Sequence, residues 1–249
     1  IIYLLKVYPM SKVIIGKGGF GEVFYYTDRP SMVYKQSYGK CENLKHEYRM
    51  WKKAYNAFIK YTSTRKNTRK EMCILNPSKW EKIGNTCIFK MKRVFPLHSK
   101  YTWQAYIGNV DDPSMDKVVK HGSIVRGRYM GPDTLSKYFD VNDLAYQAGI
   151  LIGIVHYCAH LDGLDTELVI GKTSSPTSKC RLFLIDFNQV NEWKDGDPKL
   201  VNRLSWPLIA EPYYPDSESP YHESFKQAYL KVAKSCGYED LARQVLKTM

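Results

Sequence analysis

Six features far apart in this chain carry chemistry that fits together. Gly16-Lys17-Gly18-Gly19-Phe20-Gly21 is a glycine-dense turn whose backbone N–H groups can approach an anion closely, because glycine has no Cβ in the way. Lys35 closes the run Met32-Val33-Tyr34-Lys35 and supplies an ammonium in apolar company, with Glu47 as its candidate partner. Asp186 follows Leu182-Phe183-Leu184-Ile185, and a carboxylate placed after four apolar residues is costly unless a cation or hydrogen-bond donors meet it. Asp162, in His160-Leu161-Asp162, could accept a proton from a hydroxyl. Glu167, five residues further on, could join Asp186 in holding Mg²⁺, a cation that takes oxygen ligands. The set suits a polyphosphate held with a divalent cation beside a base. Each member also has a plainer reading: Asp162 and Asp165 suit a turn, Lys35 a surface strand, and His160 a loop hydrogen bond.

These groups need particular elements to bring them together. Val23-Phe24-Tyr25-Tyr26 and Met32–Lys35 read as strands joined by the turn Asp28-Arg29-Pro30-Ser31. A dinucleotide-binding fold would instead open a helix after the last glycine. Leu44, Tyr48, Trp51, Tyr55 and Phe58 step by four and three, which predicts a helix of about four turns with Glu47 bordering its apolar face. Thr86–Met91 reads as a strand, with a hinge expected over Lys92–Val94. Leu97–His121 shows no clear period, and Ile124–Met130 reads as a strand. Asp140 is placed to cap a deeply buried helix carrying Val141, Leu144, Ala145, Ala148, Leu151, Ile152 and Val155. Two short apolar strands, Leu168–Ile170 and Leu182–Ile185, flank a turn-rich linker, and helices are expected at His222–Cys236 and Glu239–Lys247.

The order of glycine turn, lysine, helix glutamate, H-x-D, metal-ligand position and D-F-x resembles the protein-kinase-like superfamily over roughly residues 10 to 190. A closer likeness lies in Asp162-Gly163-Leu164-Asp165-Thr166-Glu167-Leu168-Val169, Leu184-Ile185-Asp186-Phe187-Asn188-Gln189 and Pro212-Tyr213-Tyr214-Pro215. These segments are similar to an uncharacterised family of fungal kinase-like proteins sometimes labelled zinc-finger proteins. The resemblance implies an α+β, two-lobed fold, with a small antiparallel-sheet N-lobe over 1–93 and a shortened, mostly helical C-lobe over 94–249. It implies ATP and Mg²⁺ as cofactors and transfer of the γ-phosphoryl group to a hydroxyl of a protein or small molecule. Gly16, Gly18, Gly19, Phe20, Gly21, Val23, Lys35, Met91 and Val94 would surround the nucleotide. Glu47 would hold Lys35, Asp162 would act on the acceptor hydroxyl, and Glu167 and Asp186 would bind the metal.

The chain also departs from the kinase pattern. Leu161 replaces the arginine that reads a phosphorylated loop, and Leu164 stands where many protein kinases have a lysine. Asn188 replaces glycine, asparagine being tolerant of left-handed backbone angles. No A-P-E motif follows Asp186, and only residues 187–249 remain after it. These departures motivate the alternative of a pseudokinase that binds nucleotide or a protein without chemistry.

Composition adds bounds. With 249 residues, 44% hydrophobic and 25% charged, the chain reads as a soluble globular domain or two lobes acting as one. It starts at Ile1 and reads as a domain excised from something longer, with Ile1–Leu5 a lead-in strand too short for a signal sequence or membrane span. A net charge of +12 steers anions to the surface. Lys60, Arg65, Lys66, Arg69 and Lys70 read as a solvated loop, and nucleic acid ranks below nucleotide as a partner because no aromatic residues interleave the charge. Cys41, Cys73, Cys87, Cys158, Cys180 and Cys236 are single and widely spaced, without zinc-site spacing. They predict a reducing compartment, cytoplasm or nucleus.

Overall fold

The computed structural model describes residues 10–18, 21–39, 41–63, 72–95, 103–108, 129–173 and 180–249. The expected strand at Ile1–Leu5, the residues Gly19 and Phe20, the basic residues Arg65–Lys70 and most of the strand expected before Met130 lie outside them. The fold is α+β.

One sheet is antiparallel, with strands β1 (Lys12–Gly18), β2 (Gly21–Tyr26), β3 (Met32–Tyr38), β5 (Ser78–Ile83) and β6 (Thr86–Lys92) in the order β1-β2-β3-β6-β5. A strand, not a helix, follows the glycine turn. Gly21 makes the reversal possible: its φ is +133°, and a Cβ there would collide with the Gln36 carbonyl. Strand periodicity puts Val33, Lys35 and Ser37 on the buried face of β3, beside Cys87, Phe89 and Met91 of β6. That parity carries the Lys35 ammonium inward.

Helix α1 (Cys41–Thr62) packs across this face, Trp51 meeting the Phe89 ring edge-on at 6.1 Å. It is longer than expected at both ends, and Lys60 sits in its last turn rather than in a loop. Its buried stripe includes Leu44, Glu47, Met50, Trp51, Ala54 and Phe58, whereas Tyr48 and Tyr55 are only half-buried.

The second sheet has the order β4-β10-β9-β7-β8, from β4 (Met72–Ile74), β7 (Trp103–Ala105), β8 (Tyr129–Met130), β9 (Glu167–Gly171) and β10 (Arg181–Ile185). Strand β4 lies on the N-terminal side of the expected boundary at 93/94 but pairs parallel to β10. After a short α2 (Pro132–Leu135) comes α3 (Val141–Gly153), capped as expected by Asp140, whose carboxylate accepts from the amides of Asn142 and Asp143. Helix α3 continues as a π-helical turn, Ile154–Cys158. It packs on α5 (His222–Cys236) closely enough that a Cβ on Gly149 would lie 2.9 Å from that of Ala228. Helix α4 (Leu200–Ala210), not anticipated from the sequence, and α6 (Glu239–Leu246) complete the chain.

The cysteines are single and widely spaced in sequence, yet four of them form two disulfides, Cys41–Cys87 and Cys158–Cys236, which the reading of a reducing compartment did not anticipate. The first ties the start of α1 to β6 and the second ties the π turn to the end of α5. Partners 46 and 78 residues apart give no local spacing signal. Cys73 and Cys180 are free. Among the described residues no helix is long and apolar enough to cross a membrane.

Candidate active site

The Lys35 ammonium donates to Glu47 Oε1 at 2.6 Å and to Asp186 Oδ1 at 3.1 Å. Three residues separated by 12 and 151 positions therefore converge on one buried charge. Burial alone would push Lys35 down, but Glu47 and Asp186 outweigh it and hold the ammonium above its ordinary value. Glu47 is 1% exposed, and burial pushes its carboxyl up to about 7 against the pull of Lys35, with Asp186 adding to the rise. One ammonium is shared by two acids.

Lys35 and Asp186 of this triad line a cleft of about 170 Å³, more than ten times the roughly 10–15 Å³ that one water requires, with Glu47 behind them. Ile15, Gly16 and Val23 of the β1–β2 hairpin line it, opposite Ile185 and Asp186, and Val33, Met91 and Val94 give it apolar walls. Of the expected nucleotide contacts, Gly16, Val23, Lys35, Met91 and Val94 line the cleft. Gly18 pairs with Gly21 at the hairpin tip. The hairpin is braced by the Lys12–Glu22 ion pair, to which Tyr38 adds a hydrogen bond, and Lys12 also lies 4.0 Å over the Phe24 ring. Trp51, Leu75 and Arg93 line the cleft as well and were not anticipated. Trp51 lay on the predicted helix face, so the periodicity held a signal for it. It contacts Phe187 at 5.3 Å, joining α1 to the segment that carries Asp186.

Asp186 takes a left-handed backbone angle, φ 59°, as do His160 and Asp165. Asn188, noted as tolerant of such an angle, does not adopt one; Asp186 does, with its carboxylate accepting from Lys35. Glu167 is paired directly with Ile185 across β9 and β10, so it shares the face that Ile185 presents to the cleft. Among the described residues no cluster of three or more metal-ligating side chains occurs. One or two carboxylates completed by phosphate oxygens is the usual protein share of a Mg²⁺ site.

Asp162 is placed differently from the expectation of a base open to a substrate. It is 3% exposed. Its Oδ1 accepts from the amides of Leu164 at 3.3 Å and Asn191 at 2.8 Å. Its Oδ2 accepts from Arg203 Nε and Nη2, each at 3.0 Å. An ionised carboxylate offers about four acceptor sites, and here four donors fill them. Leu161 is buried and bridges to Glu192, so it belongs to the core.

A neutral relay supports the Asp162 backbone. His156 Nε2 faces the Asp162 carbonyl at 3.0 Å and must donate to it, so Nδ1 accepts from the Tyr229 hydroxyl at 2.7 Å. Tyr157 in turn donates to Tyr229 at 2.7 Å. Complete burial pushes His156 down to about 3. His160 stacks on Trp193 at 4.5 Å.

Asp165 lies in a turn, as its plainer reading had it, and is close enough to Asp186 and Lys35 to sense their charges. Gln189 donates to its Oδ2 at 2.6 Å, and burial raises its carboxyl against that bond, with Asp186 adding to the rise. Glu211 is also pushed up, by burial and by Asp165. Comparison with protein-family models and with curated proteins gives no match.

Arg203→Ala is expected to cost about 3 kcal/mol, because it leaves Asp162 charged and buried; the low end of the range applies since the Arg203 side chain is 32% exposed. Adding Asp162→Asn should restore part of that loss in a denaturant midpoint. The pH profile tests the other buried groups. His156 is depressed from its ordinary 6.5, so its contribution is full above pH 6.5 and is lost as pH falls toward about 3. Glu47 is raised from 4.5, so its contribution is full below pH 4.5 and is lost as pH rises through about 7. Between pH 4.5 and 6.5 the two slopes oppose. Relative to wild type, His156→Gln should become more stable as pH falls through this window and Glu47→Gln less stable, with each slope at most ~1.4 kcal/mol per pH unit.

Proposed function

We propose that this chain binds ATP with Mg²⁺ in a two-lobed, kinase-like cleft and transfers the γ-phosphoryl group to a hydroxyl of a protein or small molecule. The observation that carries the reading is the Lys35 ammonium held by both Glu47 and Asp186 in a cleft that Gly16 and Val23 of the glycine hairpin also line. The apolar walls suit a base, and Lys35 would neutralise the phosphates. Asp186 and Glu167 would hold Mg²⁺, which supplies charge neutralisation on the phosphate oxygens. Asp165, rather than the fully bonded Asp162, would receive the hydroxyl proton, and Asp162 would position the loop that carries it.

The filled acceptor sites of Asp162 favour a second reading, a nucleotide-binding module without transfer. The basic residues after Lys60 keep nucleic acid as a lower-ranked partner. A cytoplasmic or nuclear setting is proposed from the absence of a dense disulfide framework in the sequence, whereas the two disulfides favour a more oxidising one.

Incubation with γ-labelled ATP and Mg²⁺, followed by label released or transferred, tests the reading. Turnover is expected in the wild type, with at least a hundredfold loss in Asp186→Ala and in Asp165→Asn, the scale of a general-base contribution. Turnover unchanged in Asp186→Ala contradicts the assignment. Absence of turnover in a wild type that still binds ATP selects the second reading.

A further inference from the structure

The disulfide Cys41–Cys87 joins the two elements that supply the Lys35–Glu47 ion pair to each other. Cys41 is the first residue of α1, and Glu47 lies six positions on, about 9 Å along the helix axis. Cys87 of β6 is paired with Ser37 of β3, two residues from Lys35 on the same buried face. The bond spans a sequence separation of 46 and fixes the start of α1 against the sheet. That restraint matters because Glu47 is held against its own burial, which disfavours the charge that Lys35 needs and brings the carboxyl up to about 7. Near neutral pH a small loss of confinement tips the pair.

The two disulfides sit in opposite electrostatic settings. Cys41 begins a 22-residue helix, where unpaired N–H groups and the positive end of the macrodipole stabilise a thiolate. Cys158 ends the π turn and Cys236 ends α5, and the carbonyl end of a helix disfavours one. A disulfide whose reduced form is stabilised gives way to a weaker reductant. Access singles out the same bond. Cys41 is half-buried and borders an open depression of about 400 Å³, beside the opposed charges of Glu42 and Lys82, whereas Cys87 is fully buried.

We propose that Cys41–Cys87 is a redox switch, opened by a thiol reductant, that sets how firmly α1 presents Glu47 to Lys35. The incoming thiolate bonds to Cys41 Sγ as the S–S bond breaks, and the electron pair leaves on Cys87 Sγ, which takes a proton from solvent. A second thiol of the reductant then displaces the Cys41 sulfur. Two reductant thiols thereby become one disulfide, and the protein disulfide becomes two thiols. Oxidation by a small disulfide runs the same steps backwards, with Cys41 attacking and Cys87 resolving. The effect on nucleotide rests on the proposed function, whereas the tie between α1 and the sheet does not.

The test equilibrates the intact chain in glutathione buffers of graded thiol-to-disulfide ratio, traps thiols with N-ethylmaleimide in denaturant and reads each cysteine by mass spectrometry. Cys41 and Cys87 are expected to label at ratios that leave Cys158 and Cys236 unlabelled. Hydrogen exchange of the α1 amides and ATP affinity are measured at the same ratios. Opening the bond should speed exchange through Trp51 and weaken ATP binding roughly tenfold, the value of one hydrogen bond to a charged group. Cys41→Ser should show the reduced values in every buffer, and the wild-type series stands without it if that variant does not fold. In Glu47→Gln the ATP affinity should no longer follow the buffer. A wild type that binds no ATP when oxidised removes the nucleotide reading, and labelling and exchange then decide the switch. Opening of Cys158–Cys236 first or together with Cys41–Cys87, α1 exchange unchanged by opening, or an ATP response that persists in Glu47→Gln would overturn the proposal.

Discussion

A charged lysine buried between two carboxylates is the constraint on which this structure rests. Taking an ion out of water costs several kcal/mol, and the cost is offset only where partners meet it with good geometry. Lys35 meets Glu47 and Asp186 within hydrogen-bonding distance, so β3, α1 and the end of β10 are obliged to come together. Each element delivers its residue by an ordinary local rule. Period two turns Lys35 inward, helical spacing places Glu47 on the buried stripe with Leu44 and Trp51, and a left-handed φ aims Asp186 away from the run of apolar residues before it. Two acids and an ammonium that attract by where they sit, rather than by what surrounds them in sequence, then place Lys35 and Asp186 in a cleft with apolar walls.

Behind this cleft lies a second polar assembly with the opposite character. Asp162 is saturated by two backbone amides and by Arg203, and its carbonyl is held by a neutral histidine that leans on two tyrosine hydroxyls. A network so fully satisfied specifies one arrangement of its loop. Asp165, three residues on and turned by its own left-handed angle, is only partly buried and senses the charges of Asp186 and Lys35. On the proposed function, the contrast between a saturated and a less engaged carboxylate three residues apart would separate a positioning role from a chemical one.

The strand character after Gly21, the inward lysine, the capped helix beginning at Val141 and the carboxylate after β10 were all legible, because each is written in a few adjacent residues. The face of α1 was legible only in part. Counting aromatic residues favoured Tyr48 and Tyr55, whereas the stripe is rotated onto Ala54, Met50 and a charged Glu47 that hydropathy discounts. What depended on distant partners was not legible. Asp162 and Arg203 are 41 positions apart, and the bonding of one to the other decides the role of both. The cysteine pairs and the parallel seat of β4 beside β10 are likewise properties of the assembled chain. Helix α4 was hidden by the proline inside it, which sequence rules treat as a stop.

Calorimetric titration with ATP, in the presence and absence of Mg²⁺, tests the central arrangement most directly when wild type and Lys35→Met are compared. Saturable binding that Mg²⁺ strengthens and that Lys35→Met abolishes is the result expected of an ammonium and carboxylates meeting one polyphosphate. Equal affinity in the two proteins, or no binding by a wild type shown to be folded, would contradict it.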